Sequence, residues 1–173
     1  AHLPGIVKSA SAVFSQPGAG TQFHLYFPTD ASEMLEAAMD APATPQGKGE
    51  RILLIDDELP LVTMLQKVLE RLGYRVDAHT TPAAACEVFR ADPDAYALVI
   101  TDMTMPGMTG TDLADQLLNL RPGLPLILTT GYNMTLTRER ARTMGFQEML
   151  MKPLTVHSLG AAVHRVLVAA NPT

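Results

Sequence analysis

A chain of 173 residues, 47% of them hydrophobic, is long enough for one ordinary domain with a real core and an additional segment. Its net charge of −5, without a cluster of lysines and arginines, argues against a surface for nucleic acid or anionic membranes. No apolar run approaches about 18 residues and the N-terminus lacks a signal-peptide pattern, so we expect a cytoplasmic segment that makes no membrane contact. The single cysteine, Cys86, lies among apolar helix positions, which favours a core residue over a reactive thiol.

The first 50 residues divide into two parts by composition. Residues 1–27 contain two short apolar runs, SAVFS and TQFHLYF, around a Gln-Pro-Gly-Ala-Gly turn, and this pattern predicts a β-hairpin. Residues 28–50 are rich in alanine, proline, glycine and acids. We interpret them as a linker with one helical turn near 32–38, and we expect an ordered domain to begin at Arg51.

From Arg51 onward, strand-like runs alternate with helical patterns. Five segments predict strands. RILLI (51–55), AYALVI (95–100) and LPLILTT (124–130) are apolar runs, as in strands buried on both faces, whereas YRVDAH (74–79) is more polar and EMLM (148–151) is short. Apolar residues at helical spacing predict a helix after each strand. The first helix is expected to begin at Pro60 and stop at Gly73, the second to be capped by Thr81, and the fourth to cover about 134–144.

Five βα units in succession predict an α/β fold. Because crossovers between parallel strands are right-handed, the strands should form one five-stranded parallel sheet, doubly wound, with helices on both faces. Folds of this class bind ligands outside the carboxyl ends of their strands. Functional side chains are therefore expected directly after the strands.

Polar residues do follow four of the predicted strands. Asp56 and Asp57 follow the first, Asp102 the third, Thr130 the fourth and Lys152 the fifth. Each residue alone has an ordinary explanation, such as a helix cap, a turn or a solvated surface charge. Three acids, a hydroxyl and a lysine at one edge of a sheet together predict a site.

The residue types in this group indicate phosphoryl chemistry. Three neighbouring carboxylates repel one another and do not all stay ionised without a cation. An all-oxygen site with open positions suits Mg²⁺, which keeps some waters and accepts phosphate oxygens. Lys152 and Thr130 would add a positive charge and a donor for further anionic oxygens. Such a site orients a phosphoryl group in transfer.

The natural nucleophile in such a site is a carboxylate, which forms an aspartyl phosphate. We predict that Asp102 has this role, because it stands alone on the central strand with the other acids and Lys152 as neighbours. The segment Met105-Pro106-Gly107 should keep the following backbone from continuing as a helix and so leave Asp102 open to a partner.

With these residues in place, the sequence resembles the receiver domain of two-component response regulators. The segments ILLIDDE, LVITDMTMPGMTG, LILTTGY and MLMKPL match the family's blocks in order and spacing, over about residues 51–170. The resemblance implies a flavodoxin-like fold with strand order 2-1-3-4-5. It also implies transfer of a phosphoryl group from a phosphohistidine to Asp102, followed by slow hydrolysis.

The resemblance also implies how a magnesium ion would be held. Asp57 and Asp102 would bind Mg²⁺ directly, together with the backbone carbonyl of Thr104. Asp56 would act mainly through water.

Further roles follow from the same resemblance. Thr130 would be the switch hydroxyl that follows the phosphate; it is preferred to Thr129 because Gly131 comes next, in the family's small-residue position. Lys152 would bind a phosphate oxygen and precede a cis peptide bond to Pro153. Met149 stands where the family often has an aromatic switch residue, so the details of signal coupling are left open. We hypothesise that Tyr132 flanks the path of an attacking water and slows hydrolysis; an unchanged phosphoaspartate lifetime in Tyr132→Ala would contradict this.

Residues 1–27 are similar to the closing stretch of a histidine-kinase ATP-binding domain, where a glycine-rich turn containing Gly18, Gly20 and Thr21 would precede the last strand. The chain shows neither the asparagine-bearing helix that binds Mg²⁺ with ATP nor a phosphorylatable His-Glu pair. The resemblance thus implies a kinase fragment over 1–27, a linker over 28–50 and the receiver of a hybrid histidine kinase over 51–173, without a functional kinase core.

Two other functions remain open at this level. A Mg²⁺-dependent phosphohydrolase with an aspartyl nucleophile would need a second aspartate two residues after Asp102, where Thr104 stands. A stand-alone receiver-like binding module that is never phosphorylated would not need the complete set of acids, hydroxyl and lysine. Whether the chain is an enzyme is also open, because a receiver assists its own phosphorylation and dephosphorylation.

The expected partners follow from the receiver assignment. They are a phosphohistidine donor, in a kinase or phosphotransfer domain, and a downstream phosphotransfer protein. A second copy of the chain is a further expected partner, bound through the hairpin or through the face formed by the fourth helix, fifth strand and fifth helix.

Overall fold

The computed structural model describes residues 10–16, 18, 20–26, 45–131 and 136–170. The chain divides between residues 43 and 44 into two compact units. The helical turn predicted near 32–38 lies outside the described residues. Among the described helices, none has both the length and the apolar character that crossing a bilayer requires.

The first unit contains an antiparallel hairpin, as predicted. Its strands are β1 (Ala10–Gln16) and β2 (Gly20–Tyr26), with Ala10 opposite Tyr26 and Gln16 opposite Gly20. Val13 and Phe14 on β1 are 56% and 58% exposed. Exposed apolar residues on a two-stranded sheet mark a surface suited to pairing with another chain.

The second unit contains a five-stranded sheet in which every neighbouring pair is parallel. Its strands are β3 (Arg51–Ile55), β4 (Arg75–His79), β5 (Leu98–Asp102), β6 (Leu126–Thr130) and β7 (Glu148–Met151). They lie in the order β4-β3-β5-β6-β7, which confirms the predicted order 2-1-3-4-5. β5 is therefore the central strand, and both it and β6 are buried along their whole length.

Five helices cover the two faces of this sheet: α1 (Leu59–Arg71), α2 (Pro82–Ala91), α3 (Gly110–Leu120), α4 (Arg138–Thr143) and α5 (Val156–Ala170). Because side chains alternate along a strand, β3 contributes Ile52 and Leu54 to a core with α1 and α5. Its other residues, Leu53 and Ile55, belong to a second core with α2, α3 and α4. The fold is thus the predicted doubly wound α/β fold. Cys86 is buried in the second core, as predicted, and burial raises the pKa of its thiol.

The largest errors in the predicted boundaries concern the starts of two elements. The fourth helix begins at Arg138, where the Thr137 hydroxyl accepts a hydrogen bond from the Arg140 N–H, and not near residue 134. The third strand begins at Leu98 and not at residue 95, because Pro93–Ala95 form a short 3-10 turn. The predicted cap of α2 by Thr81 is confirmed by its bond from the Ala84 N–H.

Residues 45–50 belong to the second unit, although the sequence placed them in the linker. The Gly47 N–H donates to the Leu72 carbonyl at 2.6 Å, and the Gly49 N–H donates to the Gly73 carbonyl at 3.0 Å. These bonds attach the segment to the end of α1. The remaining boundaries of the predicted domains stay predictions.

A polar triad joins three elements at the amino-terminal end of the sheet. Asp77 of β4 accepts hydrogen bonds from the Arg51 guanidinium of β3 at 2.6 Å and from the Tyr96 hydroxyl at 2.7 Å. The Arg51 guanidinium also lies 5.0 Å from the centre of the Tyr96 ring. Burial, followed by the bond to Asp77, raises the pKa of Tyr96 to about 12. The neutral phenol is thus stabilised in the folded state.

We expect Tyr96→Phe to lower the free energy of unfolding at pH 7 by about 1–2 kcal/mol, because the bond to the Asp77 carboxylate is lost. A pKa raised from 10.0 to about 12 gives a stabilisation that is complete below pH 10 and is lost as the pH rises toward 12. The urea-unfolding free energies of the wild type and Tyr96→Phe should therefore converge over that interval. If the difference in unfolding free energy between wild type and Tyr96→Phe stayed constant from pH 9 to about 12, the raised pKa of Tyr96 would be contradicted.

Candidate functional site

Parallel strands bring the predicted site residues to one edge of the sheet. Asp102 is the last residue of the central strand β5, and Asp56 directly follows the neighbouring strand β3. Thr130 ends β6, and Lys152 directly follows β7. The register places Asp102 opposite Thr129 and Thr130 opposite Met151, so these strand ends lie at similar heights.

The Asp102 carboxylate is almost buried and has a defined set of donors. The residue is 5% exposed. Its Oδ1 atom lies 2.6 Å from the Lys152 ammonium, and its Oδ2 atom accepts the Thr104 N–H at 2.7 Å. The Thr129 hydroxyl lies 3.4 Å from Oδ1. The acid predicted as nucleophile is therefore held on both oxygens.

Lys152 joins Asp102 to Asp56. Its Nζ atom lies 2.7 Å from Oδ2 of Asp56, which is 1% exposed, while the lysine side chain itself is 20% exposed. The other Asp56 oxygen accepts the Glu58 N–H at 3.1 Å, and the Glu58 carboxylate lies 3.8 Å from the ammonium. One cation thus contacts two acids that approach full burial.

The pKa shifts reflect a balance between burial and pairing. Burial raises the pKa of Asp56, and the hydrogen bond from Lys152 opposes that shift without cancelling it. For Lys152, burial alone would lower the pKa, but hydrogen bonds from the ammonium to Asp102 and Asp56 outweigh burial and the pKa is raised. The ammonium therefore remains charged at neutral pH.

Acidic side chains alone do not form a metal cage. Within residues 45–131, 136–170 and the described hairpin, no three acidic, histidine or cysteine side chains come close enough to hold a metal ion. Asp57, predicted as a direct ligand, is exposed beside the buried Asp56. The positive charge between Asp56 and Asp102 belongs to Lys152. The magnesium site, with Asp56, Asp57, Asp102 and Thr104, stays a prediction.

The predicted switch residues lie beside this group. Thr130 is 3% exposed, and its hydroxyl donates to the Gly131 carbonyl at 3.3 Å. The Lys152 N–H donates to the Thr130 carbonyl at 2.8 Å, and the Lys152–Pro153 peptide bond is cis, as the resemblance implied. Met149 is partly buried against the core of α2, α3 and α4. Tyr132 lies outside the described residues.

The sequence placed Thr129 at the end of the fourth strand, but Thr130 was preferred as the switch hydroxyl and no contact of Thr129 with Asp102 was predicted. A threonine at the end of an apolar run is typical of a strand, so residue type alone does not distinguish the two. Only the pairing register places it opposite Asp102, and side-chain alternation puts Thr129 and Thr130 on different faces of β6. A known register of β5 and β6 would have been needed to find it.

The loop after Asp102 is fixed by a close approach to α3. The Gly110 N–H donates to the Met103 carbonyl at 2.9 Å, and a methyl group on Gly110 would overlap the backbone carbonyl of Asp102. Thr109 and Asp112 form a capping box that starts α3 at this point. The loop 103–109 therefore separates the strand from the helix, as the sequence predicted, and keeps Asp102 at its rim.

We expect Gly110→Ala to lower the free energy of unfolding by about 1–3 kcal/mol, because overlap with the Asp102 carbonyl outweighs the helix preference of alanine. Gly131→Ala is the control, since a methyl group there meets no atom within 4 Å. Urea unfolding compares the two variants. Equal stability of Gly110→Ala and wild type would show that α3 does not approach Asp102 as described.

We expect Lys152→Met to lower the free energy of unfolding by about 3 kcal/mol, because it leaves two buried carboxylates without their cation. Adding Asp56→Asn to this variant should restore at least about 1 kcal/mol, since one of the unpaired charges is then removed. Arg165→Met is the control, because it removes a cation from an exposed ion pair with Glu148. In a double-mutant cycle, the contact between Lys152 and Asp56 would be contradicted if the losses of unfolding free energy caused by Lys152→Met and by Asp56→Asn were simply additive.

Comparison with known proteins gives relatives of two kinds. The aerobic respiration control sensor protein ArcB of Escherichia coli is 32% identical over 157 residues, which cover 88% of this chain and 20% of ArcB. The response regulator receiver protein CpdR of Brucella abortus is 30% identical over 121 residues, which cover 70% of this chain and 99% of CpdR. The chain thus spans about a fifth of the sensor protein and nearly all of the receiver protein.

The solved structures agree with this relationship. The crystal structure of a response regulator receiver domain protein from Clostridium thermocellum is 28% identical, with a TM-score of 0.66, and the match covers 69% of this chain and 95% of that one. A family model described as the response regulator receiver domain matches residues 52–164. This range contains Asp56, Asp102, Thr130 and Lys152. The chain belongs to the response regulator receiver domain family of two-component signalling.

Proposed function

We propose that this chain carries a phosphoacceptor receiver of a two-component phosphorelay, in which Asp102 accepts a phosphoryl group from a phosphohistidine. The observation that carries the proposal is the Lys152 ammonium, which contacts both Asp102 and Asp56 at the end of the central strand. A carboxylate that is nearly buried, yet ends a strand at the sheet edge where such folds bind ligands, is a suitable nucleophile.

The transfer step uses few protein groups. An oxygen of the Asp102 carboxylate attacks phosphorus, the phosphorus–nitrogen bond breaks, and its electron pair returns to the donor imidazole. The Thr104 N–H holds the other carboxylate oxygen and so orients the acid. The Lys152 ammonium is close enough to Asp102 to move onto an incoming phosphoryl oxygen, which would compensate its charge. Thr130 would then bind the phosphoryl group as the switch hydroxyl.

Magnesium fits the donors at this edge. Asp57, Asp102 and the Thr104 carbonyl would hold the ion directly, with Asp56 acting through water, and this all-oxygen set is the type that Mg²⁺ prefers. Asp56 supports the fit, because burial raises the pKa of its carboxyl even in the presence of Lys152, so a further positive charge would be accommodated. When bound, the ion would neutralise charge on the phosphoryl oxygens.

The extent of similarity supports an origin in a hybrid histidine kinase. Residues 52 to 173 make up about 71% of the chain, so a match to ArcB over 88% has to include residues before 52. The match to CpdR, over 70%, needs no such residues. We therefore propose that residues 1–27 derive from a kinase ATP-binding domain and 28–50 from a linker. The receiver would follow over 51–173.

Partners and location follow from this proposal. The donor is a phosphohistidine in a kinase or phosphotransfer domain, a downstream phosphotransfer protein receives the group, and the segment acts in the cytoplasm. A homodimer would use the hairpin, where Val13 and Phe14 are exposed, or the face of α4, β7 and α5. The net charge of −5 gives no support for a nucleic-acid partner.

Neither alternative function has comparable support. A phosphohydrolase of the aspartyl-nucleophile type needs a second acid at position 104, and Thr104 is an exposed residue that contributes its backbone N–H to Asp102. A receiver that is never phosphorylated has no need for a lysine held between two nearly buried acids, because such pairs cost desolvation energy.

We expect incubation with Mg²⁺ and acetyl phosphate to add one phosphoryl group, a gain of about 80 Da from PO₃H, because Asp102 is positioned for attack. Intact-mass spectrometry measures the gain, and Asp102→Asn should abolish it. Asp94→Asn is the control, since this aspartate is exposed on the 3-10 turn at the other end of β5. A gain that survives Asp102→Asn would rule out the proposed acceptor.

A further inference from the structure

We propose that the Thr129 hydroxyl shortens the lifetime of the phosphorylated receiver by donating a hydrogen bond to the Asp102 carboxylate. This inference rests on the proposed function, since it concerns the same acid. It assigns a role to a buried hydroxyl next to the reacting group, distinct from that of the switch residue Thr130. Thr129 would act on the Asp102 oxygen that carries the phosphoryl group, and not on the phosphoryl group itself.

Geometry gives the Thr129 hydroxyl two acceptors. Thr129 is 2% exposed, and its Oγ1 atom lies 3.4 Å from Oδ1 of Asp102 and 3.4 Å from the carbonyl oxygen of Thr101. A hydroxyl has one proton, so it serves one of these acceptors at a time. The ionised carboxylate is the stronger acceptor, and we infer that it takes the proton in the unphosphorylated state.

Phosphorylation changes this preference. Once Oδ1 of Asp102, the oxygen next to the Thr129 hydroxyl, is bonded to phosphorus, it bridges carbon and phosphorus, carries less charge and is a weaker acceptor. The hydroxyl proton then gains by turning to the Thr101 carbonyl, so that no buried hydroxyl is left unsatisfied. Thr129 therefore stabilises the free carboxylate more than it stabilises the phosphoaspartate.

The chemistry of hydrolysis indicates that the Thr129 hydroxyl accelerates loss of the phosphoryl group. A water oxygen bonds to phosphorus, the bond between phosphorus and the Asp102 oxygen breaks, and its electron pair returns to the carboxylate, while orthophosphate leaves and a proton passes to solvent. Negative charge develops on the carboxylate in the transition state of this loose displacement. A hydroxyl that turns back to the carboxylate stabilises that charge and accelerates the step.

Hydrolysis rates of four proteins test the inference. The proteins are wild type, Thr129→Val, Thr129→Ser and Thr101→Val. Each is phosphorylated with acetyl phosphate and Mg²⁺, and the donor is then removed by desalting. Intact-mass spectrometry follows the loss of about 80 Da (PO₃H) with time. We expect Thr129→Val to lengthen the lifetime of the phosphorylated protein about threefold to tenfold. The lower figure is favoured because 3.4 Å is long for a hydrogen bond from a hydroxyl to a carboxylate. Thr129→Ser should restore the wild-type lifetime.

Thr101→Val is the matched control, because Thr101 is also a buried threonine but its hydroxyl donates to the backbone carbonyl of Asp102 and not to the carboxylate. Its lifetime should stay within about twofold of wild type. The ratio of Thr129→Val to wild type should also persist after Mg²⁺ is chelated, since the hydroxyl acts on the carboxylate directly.

Three results would overturn the inference: an unchanged lifetime in Thr129→Val, a Thr129→Ser lifetime equal to that of Thr129→Val, or loss of the effect on chelation. Cooperative thermal unfolding verifies that each variant is folded, and Thr129→Ala replaces Thr129→Val if the latter is not. Failure of the wild type to gain mass would instead contradict the proposed function, so the two failures are distinguishable.

Discussion

The structure depends on how two acids that are nearly excluded from water, Asp56 and Asp102, are compensated at one end of the sheet. A single ammonium, that of Lys152, lies within 2.7 Å of both carboxylates. An uncompensated buried charge costs several kcal/mol, a large part of the stability of an ordinary domain. The contact of Lys152 with Asp56 and Asp102 compensates the buried charges, and it also places a cation on a flexible side chain beside the carboxylate proposed to receive the phosphoryl group. The stability of the fold and the proposed chemistry therefore depend on the same three residues.

The sheet order makes this contact possible. Lys152 follows β7, and β6 lies between that strand and β5, so the side chain has to pass about two strand spacings of about 4.8 Å each to reach Asp102. A long, flexible lysine suits this span. The intervening strand ends in Thr129 and Thr130, which add hydroxyl donors at the same edge.

Much of this architecture was predictable from the sequence, for identifiable reasons. Buried parallel strands appear as continuous apolar runs, and the polar positions at or directly after the ends of these runs are Asp56, Asp102, Thr130 and Lys152. The start of α4 was misplaced because Ala141 is its only buried residue in the described range, so the sequence RERART carries almost no apolar periodicity. Long-range pairings, such as Tyr96 with Asp77 and Thr129 with Asp102, depend on strand register, which local patterns do not encode. The contacts of the Lys152 ammonium with Asp56 and Asp102 are likewise long-range and depend on the order and register of the strands.

The most direct measurement is a crystal structure of the chain with Mg²⁺ and beryllium trifluoride, a mimic of the phosphoryl group. We predict beryllium bonded to a carboxylate oxygen of Asp102, with the Lys152 ammonium moved onto a fluorine and Mg²⁺ held on the side of Asp57. The crystals are grown at saturating concentrations of both reagents. The role of Asp102 as phosphoryl acceptor would be contradicted if the mimic were bound elsewhere, or if Asp102 and Lys152 were still paired with no mimic bound.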